Sequence, residues 1–342
     1  MSTSAPASPA VPRNTRVYRW LVYALCLAFL VWVLRDFHIK RAAQDWAGVS
    51  WRWVALGILF DVLSYVAQGV RWKLLLTPFG HVKIRDSVRA VFGGLFANIF
   101  PLRPGELLRA YLVSQAEDVG FVTVLGSVGV ERLIDLVVTT AALAAMSLFV
   151  PLPARFRHVA DGLGIATLVL LAVFIALILY VEFRFEGDPR RMAGGQRVLG
   201  KLMSALIGLH AMGTSPSFYP AVFTSLLTPF FQVLALWCMM KSYGMGLPFL
   251  AAVVVLLVIN LGISLPNAPA NVGSYQFFCV LGLSIFEVEK TTATGFSIFA
   301  FLMLTLPILL IGFIAVLRSG LSFRSMREQV SRLPGEARAR RA

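Results

Sequence analysis

Two short stretches hold charged residues where an otherwise apolar sequence would not be expected to keep them. NIFPLRPGELLR, residues 98–109, carries Arg103, Glu106 and Arg109, and SVGVERLIDLVV, residues 127–138, carries Glu131, Arg132 and Asp135. Guanidinium forks match phosphate oxygens two at a time and keep their charge, so Arg103 and Arg109 suit an anionic or phosphate-bearing group. Pro104 can open a helix at its first position, where no N–H is needed. Glu106 then falls in the first turn, where the helix dipole favours an acid. Arg109 can equally pair with Glu106, three residues away on one helix face. In the second stretch, Glu131 and Asp135 are spaced i,i+4 and Arg132 and Asp135 i,i+3, so the three form one patch. Those acids can answer Arg103 or Arg109 across a cavity, carry protons, or snorkel to a membrane surface.

Such chemistry needs elements to position it, and composition says what they are. Of 342 residues 58% are hydrophobic and 14% charged, which marks a polytopic membrane protein rather than a soluble domain. The formal net charge of +14 does not point to nucleic acid, because the basic residues lie in short blocks between apolar runs, where they orient helices. Cys26, Cys238 and Cys279 lie far apart in apolar segments, and His38, His81, His158 and His210 are scattered. Neither set has metal-type spacing, and no phosphate-binding loop or nucleophile elbow is present, so no cofactor is expected.

The stretch 1–16, rich in Ser, Ala and Pro, is expected to be disordered. Spans long enough to cross a hydrocarbon core follow at 17–34, 53–70, 121–150, 162–181, 218–240 and 295–317. Regions 86–116 and 248–286 are different. The first breaks at Pro101 and Pro104 after DSVRAVFGGLFANIF, an arm that rises only about 22 Å, and the second breaks with the same spacing at Pro266 and Pro269. Broken backbone is tolerated at membrane depth only where protein or a watery cavity covers it. Both regions are therefore expected to be re-entrant hairpins.

Six full spans and two hairpins, eight hydrophobic segments in all, place both termini on one side. Assigning that side to the cytoplasm puts 20 Lys and Arg residues inside and 8 outside, as the positive-inside rule requires. The region 17–317 then forms one integral membrane domain, with a basic tail at 318–342. Its halves, 53–150 and 218–317, become inverted copies, each a span, a hairpin and a span. Interrupted segments at matching places in two halves point to a transport site at their interface. Asn271 is a candidate N-cap for the second hairpin's exit arm, so that two half-helix N-termini would present donors to an anion. Gly93, Gly94, Ala97, Gly126 and Gly129 are expected to let helices approach closely. Asp61, a lone acid in 53–70, is expected to face the interior.

RWKLLL at 71–76, NIFPLRPGELLRAYLV, VERLIDLVV and PNAPANVGSYQ together resemble the flippase-like membrane domain family named after lysylphosphatidylglycerol synthase, over about residues 17–317. The most specific part is Asn98, Pro101, Arg103, Gly105, Glu106 and Arg109 followed by Glu131, Arg132 and Asp135. The resemblance implies an all-α integral membrane protein that translocates a lipid. The family's larger members carry an aminoacyltransferase domain for which the basic tail offers no room. In the second break Ala270 stands where Gly is usual and Gln276 where Glu often stands. The residues expected to bind the headgroup are thus Asn98, Arg103, Gly105, Glu106, Arg109, Glu131, Arg132 and Asp135, with Asn267, Asn271, Gly273 and Gln276 from the second break.

Two alternatives to a non-enzymatic translocator in the cell membrane remain. One is a membrane-embedded transferase using Glu106, Glu131 or Asp135 as general base, and the other is an accessory subunit of a lipid-modifying enzyme. The absence of a nucleotide loop, metal cluster or histidine base favours transport.

Overall fold

The computed structural model describes residues 13–35, 39–100, 104–117, 119–149, 215–264 and 268–319, with isolated positions between 162 and 176. The expected span 162–181, most of the basic 182–217 segment and nearly all of the 318–342 tail lie outside the described residues. The described chain is helical and contains no strand. In order, its helices are α1 (Arg13–Leu34), α2 (Ile39–Ala47), α3 (Trp51–Leu76), α4 (Ile84–Ala97), α5 (Gly105–Ala116), α6 (Phe121–Phe149), α7 (Phe218–Ser242), α8 (Phe249–Ser264), α9 (Ser274–Ser284) and α10 (Lys290–Arg318). Three helical stretches, Trp51–Phe79, Phe218–Ser242 and Lys290–Arg318, are long and apolar enough to cross a membrane.

Three boundaries differ from the sequence expectation. Helix α1 begins at Arg13 rather than Val17, because nothing in RNTR breaks a helix once the upstream prolines are passed. Helix α3 continues through RWKLLL to Leu76, since the first breaker is Pro78. The expected external loop 35–52 contains α2, whose IKRAAQDWA sequence is amphipathic. It is tied down by Trp46, whose indole N–H donates to the Gly295 carbonyl at 3.4 Å, and by Asp45, which accepts from the Tyr243 hydroxyl at 3.4 Å.

Both proline-broken regions form two arms. Helices α4 and α5 pack on each other, as do α8 and α9. The first pair meets backbone to backbone: a Cβ added at Gly94 would lie 2.8 Å from the Gly105 carbonyl oxygen. Only glycine on both arms allows that approach. Gly93 and Ala97 also face neighbours, with Ala97 buried. Gly126 and Gly129, by contrast, have open space where a side chain would point, so they pack against no other helix among the described residues.

The central pair is α3 against α7, the most extensive helix contact in the described chain. The Ser50 N–H donates to the Ser242 carbonyl at 3.0 Å, Trp53 packs edge-on to Trp237, and Phe60 stacks on Phe231. Residue numbers rise on one helix as they fall on the other, so the two run antiparallel. Around this pair the neighbours match. Helix α3 meets α4 as α7 meets α8, α5 meets α6 as α9 meets α10, and α10 meets α4 as α6 meets α8. One apolar cluster fills the α7–α10 side around Met239, Val255, Leu283 and Phe296. A second fills the α3–α6 side around Trp72, Ala90, Tyr111 and Val124.

Candidate functional site

Helix α3 carries Gln68, Arg71 and Trp72 on one face, because positions three and four apart stack along a helix. Helix α5 presents Glu106 and Arg109 from its first turns, and α6 presents Glu131, Arg132 and Asp135. All three faces converge. Arg132 pairs with Glu106, and Glu106 Oε2 lies 3.6 Å from Arg109 Nε. Arg109 pairs in turn with Glu131. Glu131 Oε1 accepts from Arg71 Nη2 at 2.6 Å, Arg71 Nη1 donates to Asp135 Oδ1 at 2.5 Å, and Asp135 Oδ2 lies 3.8 Å from Arg132 Nη1. Three arginines and three carboxylates thus alternate around a closed ring.

The ring has a buried arc and an open one. The side chains of Arg71, Glu131 and Arg109 are 1%, 0% and 4% exposed, whereas those of Glu106, Asp135 and Arg132 are 33%, 34% and 57% exposed. Charges taken out of water are stable only when well paired and hydrogen-bonded. Neutral partners also reach the buried arc, while Arg71 Nε and Arg109 Nε stay buried without a hydrogen bond among the described residues. Gln68 Nε2 donates to Glu131 Oε1 at 2.7 Å. The Arg109 guanidinium lies 4.2 Å from the centroid of the Trp72 ring, a cation–π distance. The Trp72 indole N–H donates to Ser127 Oγ at 2.9 Å, which fixes the ring beneath the guanidinium. Buried Glu131 does not snorkel to a surface.

The first break supports this geometry from outside the ring. Pro104 takes the N-cap position of α5 rather than the first helical one. The Gly105 N–H donates to the Asn98 side-chain oxygen at 3.1 Å, so Asn98 answers a backbone donor that the helix leaves open. In the second break, α9 starts at Ser274 with Gly273, at φ 86°, as its cap. The Gly273 N–H donates to Gln276 Oε1 at 2.8 Å. Asn271 does not cap the helix: it sits in a short 3-10 turn at φ 60°, and its Oδ1 is buried without a hydrogen bond among the described residues. Each helix start thus gives one backbone donor to a nearby amide side chain, Gly105 to Asn98 and Gly273 to Gln276. The breaks nonetheless meet, since the Ala270 N–H donates to the Asn98 carbonyl at 3.1 Å. Arg103 and Asn267 lie outside the described residues.

Sequence reasoning placed five of the six ring members and missed the sixth. Arg71 stands just past the end of the expected span and was counted as a loop cation, yet it bridges Glu131 and Asp135. The signal was Gln68 followed three residues later by Arg71 with no breaker between them and Leu76. Trp72 and Ser127 were missed because indole and hydroxyl groups in apolar segments carry no charge pattern. Asp61 is buried, as expected, at 7% exposure, away from any ion pair among the described residues.

The comparisons with known proteins agree with this architecture. The chain is 23% identical over 321 residues, 87% of its length and 94% of the relative's, to a UPF0104 membrane protein of Methanocaldococcus jannaschii. It is 24% identical over 269 residues, 74% of its length and 78% of the relative's, to a UPF0104 membrane protein of Methanothermobacter thermautotrophicus. A shorter similarity, 30% over 100 residues, covers 28% of the chain and 15% of a glycosyltransferase of Haloferax volcanii. No solved structure matches significantly. The family model described as the lysylphosphatidylglycerol synthase transmembrane region matches residues 19–312, and the chain, a multi-pass membrane protein with long apolar helices among its described residues, belongs to that family.

Proposed function

We propose that this protein moves a phosphate-bearing lipid between leaflets, its headgroup passing the ion-pair ring while the acyl chains stay in the bilayer. The observation that carries the reading is the ring itself. Six charges kept within a bundle of apolar helices are expensive, and an arc that exposes Arg132, Glu106 and Asp135 lets an incoming headgroup exchange partners with them one at a time. A phosphate reaching Arg132 would displace Glu106, which retains Arg109, so no buried charge is stranded.

In this reading α4/α5 and α8/α9 are re-entrant hairpins and the two halves are inverted repeats. Antiparallel α3 and α7, the matched neighbours around them and the Asn98–Ala270 bond between the breaks all support that arrangement. Helix breaks at corresponding places mark transport sites in such folds. The protein then lies in the cell membrane with both termini in the cytoplasm, and a lipid-modifying enzyme supplies or consumes its substrate.

A transferase reading is less favoured. Glu131 has both oxygens engaged and no exposure, so it is badly placed to take a substrate proton, which leaves a transferase only Glu106 and Asp135, each already paired with arginine. Reconstitution of the purified protein in vesicles with acyl-labelled phospholipids tests the proposal. Labelled lipid should cross between leaflets faster than in protein-free vesicles with its mass unchanged. A change of mass would favour the transferase, and no movement would remove the transport reading.

A further inference from the structure

Asp61 is a buried acid that the ion-pair ring does not use. It sits on α3 at 7% exposure, and among the described residues its carboxyl group has neither a hydrogen bond nor an ion-pair partner. The bond from Ser64 Oγ, at 2.7 Å, goes to its backbone carbonyl instead. Two phenols lie within its electrostatic reach: Tyr65, one turn along α3, and Tyr275, from the first turn of α9. The Tyr65 ring stands edge-on to Phe92 at 6.1 Å, and the Tyr275 ring lies 5.3 Å from Phe301, so the surroundings are apolar.

The described helices around α3 bring no charge to this level. Helix α7, where Phe231 stacks on Phe60, has no charged residue between Phe218 and Met240. Of its titratable groups, Tyr219 is exposed, Cys238 lies beside Gly57 and Lys241 is in the last turn. Helix α4 carries Arg85, Asp86 and Arg89 near its start, at the level of Gly69, and α10 carries Lys290 and Arg318 at its ends. Helix α6 reaches α3 through Glu131 and Asp135 at Gln68 and Arg71, about two to three turns further along, and its Arg132 pairs with Glu106. Beyond Tyr275, α9 adds the Cys279 thiol.

An ionised carboxyl left unpaired in such surroundings costs so much that the group neutralises instead, and acids of this kind inside apolar bundles mark ion and proton pathways. One carboxyl and two phenols, among helix carbonyls committed to their own ladder, offer too few oxygens to cage a metal cation. A proton is the cation that fits. Asp61, Tyr65, Gln68 and Trp72 follow one face of α3, which joins the acid to the ring, and Tyr275 stands five residues after Ala270, whose N–H holds the first break.

We infer that Asp61 is a proton-carrying site and that lipid transfer is coupled to proton movement through it. Enclosed by α3 and α9, the carboxyl keeps its proton. When the α8/α9 arm pair moves away and water enters, the O–H bond breaks, the proton passes to water on that side and the carboxylate stays behind. The phenols of Tyr65 and Tyr275 are donors for it while it is open. Re-enclosing a bare carboxylate is costly, so the arms close once it has taken a proton back.

The coupling rests on the translocation reading, and one set of measurements separates the two. The full-length protein is reconstituted in phosphatidylcholine vesicles with a trace of acyl-labelled phosphatidylglycerol, under a pH gradient of about one unit and with the membrane potential clamped to zero. A membrane-impermeant quencher reads the label in each leaflet. One proton per lipid holds up to about tenfold more label in one leaflet, and reversing the gradient should reverse the bias. Asp61→Asn, checked for a monodisperse folded protein, should show no bias in either direction. Asp61→Ser, which also cannot ionise, gives the same reading if the asparagine variant does not fold. In detergent at neutral pH, the infrared carboxylic-acid C=O absorption of the unaltered protein should lose one component in either variant. An unchanged absorption overturns the protonated acid, and a bias that persists in the variants overturns Asp61 as the coupling site. An equal bias from a sodium gradient overturns the proton as the coupled ion. Transfer without bias in the unaltered protein overturns coupling and leaves translocation standing. If label crosses no faster than in protein-free vesicles, translocation and coupling fall together.

Discussion

The backbone N–H of Ala270 donates to the carbonyl of Asn98 across 172 residues of sequence, at 3.1 Å. This bond ties one proline-broken region to the other. Both of its residues lie where a helix has been interrupted, so each brings an uncommitted backbone group to the meeting point. Cysteines placed at Asn98 and Ala270 in a variant lacking Cys26, Cys238 and Cys279 should therefore cross-link rapidly with a short bifunctional thiol reagent. Mobility on a denaturing gel reads the result. Failure to link while each single cysteine reacts normally would show that the breaks are apart in the membrane.

Arg71 should matter more for folding than its position at the edge of an apolar run suggests. Truncation by Arg71→Leu leaves Glu131 buried with one arginine fewer, and breaking a buried pair typically costs about 3–5 kcal/mol. Thermal unfolding in detergent should show a clear loss of stability. Arg71→Lys should recover only part of it, because a single ammonium cannot bridge Glu131 and Asp135 as the guanidinium fork does.

Arg109 separates charge from shape. Arg109→Ala and Arg109→Lys should both slow lipid transfer in vesicles, the lysine variant with less damage to folding, since it keeps the charge but loses the planar fork and the stacking over Trp72. Trp72→Phe retains an aromatic face but gives up the bond to Ser127 and part of a fully buried ring, so it should cost about 2–3 kcal/mol. Normal transfer by both Arg109 variants would reduce the ring to a structural brace.

Gly105→Ala should be poorly tolerated. The added methyl would be driven into the Gly94 carbonyl and the Asn98 side chain, and overpacking of this kind costs about 1–3 kcal/mol. Gly126→Ala, with open space at that position inside α6, is the matched control and should unfold at the same or a slightly higher temperature than the unaltered protein, since alanine favours a helix interior over glycine.

Topology gives a further test. In the same cysteine-free background, Glu287→Cys, on the exposed turn before α10, should react with an impermeant thiol reagent added to intact cells. Single cysteines placed in 185–200 should resist it. Labelling of 185–200 from outside would reverse the assignment of the halves.

Helix positions were legible because hydrophobic runs and prolines report directly on where a membrane helix can start and stop. Expected spans 121–150 and 218–240 correspond to α6 and α7 almost residue for residue, and both broken regions part at their proline pairs. The site was legible only where charge interrupts an apolar run. Glu106, Arg109, Glu131, Arg132 and Asp135 stood out for that reason, and Arg71 did not, since an arginine at the end of a span reads as a loop anchor until the continuation of α3 is seen. Partners were legible as options rather than as a set: spacing offered Arg109 to Glu106 on one helix face, and the second stretch offered its acids to Arg109 from another helix, whereas Arg109 engages Glu106 and Glu131 together, a relation set by how α5 and α6 pack. Asn271 does not cap α9 because the helix starts only at Ser274, with Gly273 in the cap position, and Asn271 falls in the turn before it.

The contact between Gly94 and Gly105 also has a mechanical meaning. Two backbones pressed together with no side chain between them have no slack, so α4 and α5 can neither slide nor rotate past one another without collision. Helices α8 and α9 are held differently, by side chains seated on glycines: the Phe278 ring fills the space at Gly262 and Val255 packs on Gly282. Each arm pair is then a stiff lever, and whatever movement the proposed lipid transfer demands must be taken up between the levers, where the main-chain bond from Ala270 to Asn98 is a latch among the described residues.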